Sequence, residues 1–120
     1  KKKQKNNRFK EYQKQNHALL RRINRHFADS ATFDFTPYSN SCSLSFVDGS
    51  HAYDYVLKDT DSAIKITREE GIVIWHDYGI WEGVTQALEK IEKKYQLGLQ
   101  HIKGTSLVYW KKPSKEFSLN

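Results

Sequence analysis

The sequence predicts an α/β fold, a layered sheet with helices packed on it, and three observations carry that reading. Two short apolar runs, SLSFVDG (43–49) and GIVIWHD (71–77), stop abruptly on polar residues, as buried parallel strands do. Between them Tyr53, Val56, Thr60, Ala63, Ile64 and Thr67 recur at the spacing of one helix face. The end of the chain, LGLQHIKGTSLVYWKK, is two β-rich runs around Lys103-Gly104, which suits an antiparallel hairpin at a sheet edge.

Taken in order, the first 22 residues form a basic segment, partly helical. Phe9, Tyr12, Leu19, Leu20, Ile23 and Phe27 fall at helical spacing, while Ile23, Arg25 and Phe27 also alternate as a strand would. Helix to about Leu20 and then a strand is the expectation. ADSATFDFTPYSNS has loop composition. The strand, helix, strand unit follows, with Gly71 placed where its helix should be left behind. Val84, Ala87, Leu88, Ile91 and Tyr95 then make the apolar stripe of a second helix, and Glu82, Glu89, Lys90, Glu92, Lys93 and Lys94 cover its remaining surface. Residues 113–120 read as a loose tail. The right-handed crossover rule sets the hand of the unit.

At 120 residues the chain is sized for one domain with one core. Three Trp, seven Tyr and six Phe are more aromatics than a disordered chain carries. Cys42 has no partner for an internal disulfide, which suggests a reducing, cytoplasmic setting. No apolar run reaches membrane-spanning length, and the basic start lacks the apolar core of a signal peptide. The net charge of +6 is unevenly placed. Residues 1–25 hold ten Lys and Arg against the single acid Glu11, and the remainder holds ten against thirteen acids. The basicity therefore belongs to a segment, and a solvated tail or fraying helix explains it more simply than an RNA-binding arm.

In open α/β sheets, ligands bind beyond the carboxyl ends of the strands. If the two apolar runs are neighbours, about 5 Å apart, Asp48 and the His76-Asp77 pair emerge at one edge with His51 close behind. Two carboxylates and two imidazoles there can hold a divalent cation, or can pair a general base with an orienting acid. The plainer reading makes Asp48 a helix cap or turn residue before Gly49 and His51 a surface residue in the helix's first turn. Two strand ends carrying the same residue types are more than turn chemistry requires. Trp75 and Trp81 flank the second of them, where aromatics can line a pocket, although burial in the core is the default use of either ring.

With these elements in place, FADSATFDF, FVDGSHAYDYVLKD, GIVIWHDYGIWEGVTQAL and HIKGTSLVYW resemble the C-terminal half of class I S-adenosylmethionine-dependent methyltransferases, the small-molecule and sugar-type group with a DGSHxY element. The resemblance spans residues 23–112. It implies a three-layer, Rossmann-like sheet, mostly parallel with an antiparallel C-terminal hairpin and lacking the first strands. It places Asp29 and Ser30 near the cofactor's adenine and Asp48 at the end of the family's fourth strand, and makes all three cofactor-binding residues. His51 would be the catalytic base. Asp48, His76 and Asp77 would be the metal ligands, although related metal-dependent enzymes carry two acids where this chain has His76-Asp77. Imidazole suits Mg²⁺ poorly and borderline metals better.

The implied cofactors are S-adenosylmethionine and, optionally, Mg²⁺ or Mn²⁺. The implied reaction is direct attack of a small-molecule or sugar hydroxyl on the sulfonium methyl. No Gly-rich turn follows a first strand, Gly49 being the first glycine in the chain, so a truncated or partial domain is expected. A homo-oligomer or complementing subunit would cover the open sheet edge, and neither nucleic acid nor membrane is an expected partner. Two alternatives remain open. One is a non-catalytic remnant whose basic N-terminus contacts nucleic acid or an acidic partner. The other is a metal-dependent hydrolase built on Asp48, His51, His76 and Asp77.

Overall fold

The computed structural model describes residues 8, 10, 11, 14, 17–115 and 117–119. Phe9, Tyr12, most of the opening lysine run, and the tail residues Glu116 and Asn120 lie outside the described residues. A short helix α1 (His17–Leu20) leads into irregular chain and a 3₁₀ turn at Thr36–Tyr38. Strand β1 (Cys42–Val47), helix α2 (Tyr53–Ile66), strand β2 (Thr67–Trp75) and helix α3 (Glu82–Tyr95) follow, then β3 (Gln100–His101) and β4 (Val108–Lys111).

The four strands form one sheet in the order β1-β2-β4-β3. β1 and β2 are parallel, with Phe46 opposite Ile74 and Val47 opposite Trp75. β4 runs antiparallel to both β2 and β3. This is the expected mixed α/β sheet, a parallel pair joined by a crossover helix and completed by an antiparallel hairpin.

The register divides the sheet into two faces. Ser45, Val73, Trp75, Val108 and Trp110 point to one side and are buried. Val56, Thr60, Ala63 and Ile64 of α2 and Val84, Ala87, Leu88 and Ile91 of α3 close over them as the single core. The apolar stripes seen in the sequence are therefore the buried helix faces. Trp75 is fully enclosed and donates its indole N–H to Thr60 Oγ1 at 2.9 Å, the polar contact a buried indole needs. The opposite face, with Leu44, Phe46, Ile72 and Tyr109, is exposed. Among the described residues the layers number two, because both long helices pack on the same side; the third layer expected is not formed by them.

Three local expectations are corrected. Residues 23–27 form no strand, and Ile23 and Phe27 are exposed. A strand needs a neighbour to satisfy its backbone, but here β1 is an edge and the segment is tied down by aromatic contacts instead: His26 lies 5.1 Å from Phe33 between ring centroids and its Nε2 meets the Tyr38 hydroxyl at 3.1 Å. Gly71 does not end a helix. α2 stops at Ile66, and the chain enters β2 directly through Thr67, whose hydroxyl reaches back to Ala63 O at 2.6 Å. Gly71 sits instead beside a pairing irregularity between Cys42 and Leu44, where an added Cβ would meet Arg68 O at 2.9 Å and Ser43 O at 3.0 Å. The tail is not wholly loose, since Phe117 packs on Trp110 with ring centroids 5.2 Å apart.

A buried cation braces the end of the sheet away from the strand carboxyl ends. Lys112 Nζ donates to Ile64 O at 2.8 Å, Thr67 O at 2.7 Å and Asn40 Oδ1 at 3.2 Å. Burial pushes its pKa down, but three acceptors match its three donors, so the charge is hydrogen-bonded though not ion-paired among them.

Candidate functional site

The parallel register decides where the site lies. Val47 stands opposite Trp75, so the next residues, Asp48 and His76, leave the sheet side by side, and His76 N donates to Val47 O at 3.1 Å. Asp77 then takes a left-handed conformation with φ 72°, which short polar side chains adopt more readily than most. Its carbonyl accepts the amides of Ile80 and Trp81, each at 3.2 Å, which turns the chain into α3. On the other arm, Asp48 precedes α2 by a loop and does not cap it. The N-cap position is Ala52, which makes no side-chain cap bond, and His51 lies before the helix and not in its first turn.

These turns bring all four residues singled out at the strand ends into one chain of contacts. His51 Nε2 meets Asp77 Oδ2 at 3.0 Å. Asp77 Oδ1 lies 2.8 Å from His76 Nδ1, which in turn lies 3.3 Å from Asp48 Oδ1. Asp77 is the buried hinge of the group, its side chain 13% exposed against 43% for His51. His76 Nδ1 is buried and near two carboxylates, yet it makes no hydrogen bond to either. The two facts agree, because ion-pair proximity asks only for distance whereas a hydrogen bond also asks for alignment.

Two residues outside the sequence-derived set complete the geometry. Trp81 stacks on His51 with ring centroids 4.4 Å apart and planes 12° from parallel, so of the two flanking tryptophans it is this half-exposed one that serves the site. Gly83, in the first turn of α3, faces the backbone of His51 and Tyr53. A Cβ there would overlap His51 O and lie 3.0 Å from Tyr53 N. A lone glycine in an otherwise good amphipathic helix was the available signal for this close approach.

Asp29 and Ser30 separate. Ser30 shares with Asp48 the wall of a cleft of about 410 Å³ along β1, together with Phe35, Phe46 and Asp59. Asp29 does not join them. Its Oδ1 accepts from Ala31 N and its Oδ2 from Tyr55 OH, both at 2.9 Å, so it anchors the loop to α2. The Ala31 amide and then the Tyr55 hydroxyl hold its carboxyl below the ordinary carboxylate range, and the same bond raises the Tyr55 hydroxyl.

A family model described as a methyltransferase domain matches residues 2–78, from the basic segment through Asp77 and Tyr78. The solved structure described as that of the O-methyltransferase NovP is similar in fold, with a TM-score of 0.51 at 19% identity. That likeness covers 59% of this chain and 29% of the NovP chain. No curated protein matches. The chain belongs to the methyltransferase-domain family, and its sheet and crossover helix are those of the class I methyltransferase fold. No helix among the described residues is long and apolar enough to cross a membrane.

Proposed function

We propose that this chain carries the strand-end part of an S-adenosylmethionine-dependent methyltransferase site that methylates a hydroxyl of a small molecule or sugar, with His51 as the base. The observation that carries this reading is the contact of His51 Nε2 with Asp77 Oδ2 under the Trp81 ring. An imidazole held on one edge by a buried carboxylate and on one face by an indole has little freedom left, which is what a positioned base requires. With Nε2–H donated to Asp77, the lone pair that accepts a proton is on Nδ1. Nδ1 would take the substrate's O–H proton as the methyl group passes from the sulfonium sulfur to the oxygen, and Asp77 would stabilise the resulting imidazolium.

The methyl donor, when bound, supplies an electrophilic carbon on a sulfonium leaving group. Ser30, Phe35 and Asp48 fit one end of such a ligand, since their cleft is lined by apolar side chains that suit a flat ring and by polar ones that can bind its edges. Asp48, His76 and Asp77 fit a divalent cation, their ligand atoms all lying within 4.8 Å of one another. Bound there, a cation would orient the hydroxyl and lower its pKa.

The test is calorimetry of S-adenosylhomocysteine with the 120-residue chain, with and without Mg²⁺ or Mn²⁺, in wild type and Asp48→Ala. Binding weakened by about tenfold or more in the variant is the expected result, the loss of one charged contact. Absence of binding by a folded chain would overturn the reading in favour of the non-catalytic binding module.

A further inference from the structure

The donors that converge at the strand ends are not the all-oxygen set that a hard cation takes. We infer that the Asp48, His76 and Asp77 site selects a borderline divalent transition ion, Zn²⁺ or Co²⁺ and after them Mn²⁺, over Mg²⁺ and Ca²⁺, and that His76 sets this preference. The inference rests on the metal-assisted reading above and specifies which cation that site takes.

Three features of the site carry it. The first is spacing: Nδ1 of His76 stands 2.8 Å from Asp77 Oδ1 and 3.3 Å from Asp48 Oδ1. With metal–donor bonds of about 2.0–2.2 Å, neighbouring donors around one small ion stand roughly 3.0–3.5 Å apart, close to these separations. The second is the state of that nitrogen. It is buried and makes no hydrogen bond, although two carboxylates lie within reach. Neither carboxylate oxygen is aligned with the ring as a hydrogen-bond partner of that nitrogen, which leaves it open to a bond with an ion. The third is the division of labour within Asp77. Oδ2 is committed to His51, which leaves Oδ1 on the side of His76 and Asp48. One carboxylate can thus ligate an ion and orient the base at once, as groups around metal sites commonly do.

The preference follows from ligand chemistry. Mg²⁺ keeps to near-octahedral oxygen and releases water reluctantly, so replacing a carboxylate by a neutral imidazole removes both charge and a favoured donor. For Co²⁺ and Zn²⁺ an imidazole nitrogen is among the commonest ligands, and affinity rises from Mn²⁺ through Co²⁺ toward the end of the series. Two carboxylates and one imidazole leave a charge of −2 for a divalent ion to neutralise. The main chain of His76 is fixed by donation from its N to Val47 O, and the Phe46 ring lies beside its imidazole, 6.3 Å between centroids.

Titration of the 120-residue chain with Co²⁺, without any methyl donor, reads the site directly through the visible absorption of the bound ion. Saturation at one equivalent is expected, with Zn²⁺ displacing Co²⁺ at comparable concentration and Mg²⁺ failing to do so at about 100-fold excess. His76→Asp should narrow the preference for Co²⁺ over Mg²⁺ by about tenfold or more, whereas His101→Gln, outside the site, should leave it unchanged. Displacement by Mg²⁺ as effective as by Zn²⁺, an unchanged preference in a folded His76→Asp, or no absorption at one equivalent would overturn the inference. The competition on wild type decides the matter even if the variant does not fold. The methyltransferase reading fails separately, through loss of S-adenosylhomocysteine binding, so selective Co²⁺ uptake without cofactor affinity would keep the metal site and remove the enzyme.

Discussion

Asp77 shows how much one residue can be made to do. Its backbone turns the chain out of β2, its carbonyl receives two amides at the start of α3, and its two carboxylate oxygens face two different histidines. Asp29 shows the opposite case, an acid whose two oxygens accept from its own loop and from α2. Because its folded-state pKa is depressed, the stability it lends is present above the ordinary carboxylate value and lost as pH falls through the lowered one. Tyr55 runs the other way: its raised pKa lends stability that is present below the ordinary phenol value and lost as pH climbs through the raised one. Tyr55→Phe should therefore move the Asp29 carboxyl back toward its ordinary range, readable by carbon NMR titration, with only part of the shift remaining from the Ala31 amide. An Asp29 titration that does not move would show that Tyr55 has no hold on it.

At the scale of elements, the contact between the start of α3 and the loop before α2 matters most, because the loop carries His51 and the helix start carries Trp81. Gly83 is what lets the two backbones meet. Helix propensity alone makes Gly83→Ala stabilising by up to about 1 kcal/mol. The steric conflict with His51 O makes it destabilising by about 1–3 kcal/mol, since backbone must move to admit the methyl group. Thermal unfolding separates the two by sign, and the His51 ring resonances should shift in the same variant as the loop is displaced. A more stable protein with unmoved His51 signals would refute the close approach.

For the whole molecule, the telling feature is a sheet that the described residues cover on one face only. Leu44 and Phe46 are 57% and 54% exposed, and they lie on β1, whose outer edge pairs with no strand among the described residues. An open edge beside a bare apolar face is where chains associate. The 120-residue chain is expected to self-associate with rising concentration in sedimentation velocity, and Phe46→Lys to suppress this by placing charge on the face without touching the core. A wild-type chain that stays monomeric would mean that this surface is covered from within.

The parallel pair, the crossover helix, the hairpin and the meeting of Asp48, His51, His76 and Asp77 all follow from local pattern: apolar runs with polar ends and stripes at helical spacing leave few ways to build a sheet. The exchange of a strand at 23–27 for an aromatic clamp was not legible, because whether an alternating segment becomes a strand depends on a neighbour that no local pattern reveals. Neither was the role of Trp81, since sequence cannot tell a ring buried in a core from one laid on a histidine. The sequence by itself determined the elements, their order and the chemical character of the strand ends, because periodicity and residue type are local properties. Only the tertiary structure decided which carboxylate oxygen faces which imidazole, that Asp29 accepts from Tyr55, and that the described residues leave one face of the sheet exposed, because these depend on distances between segments that are far apart along the chain.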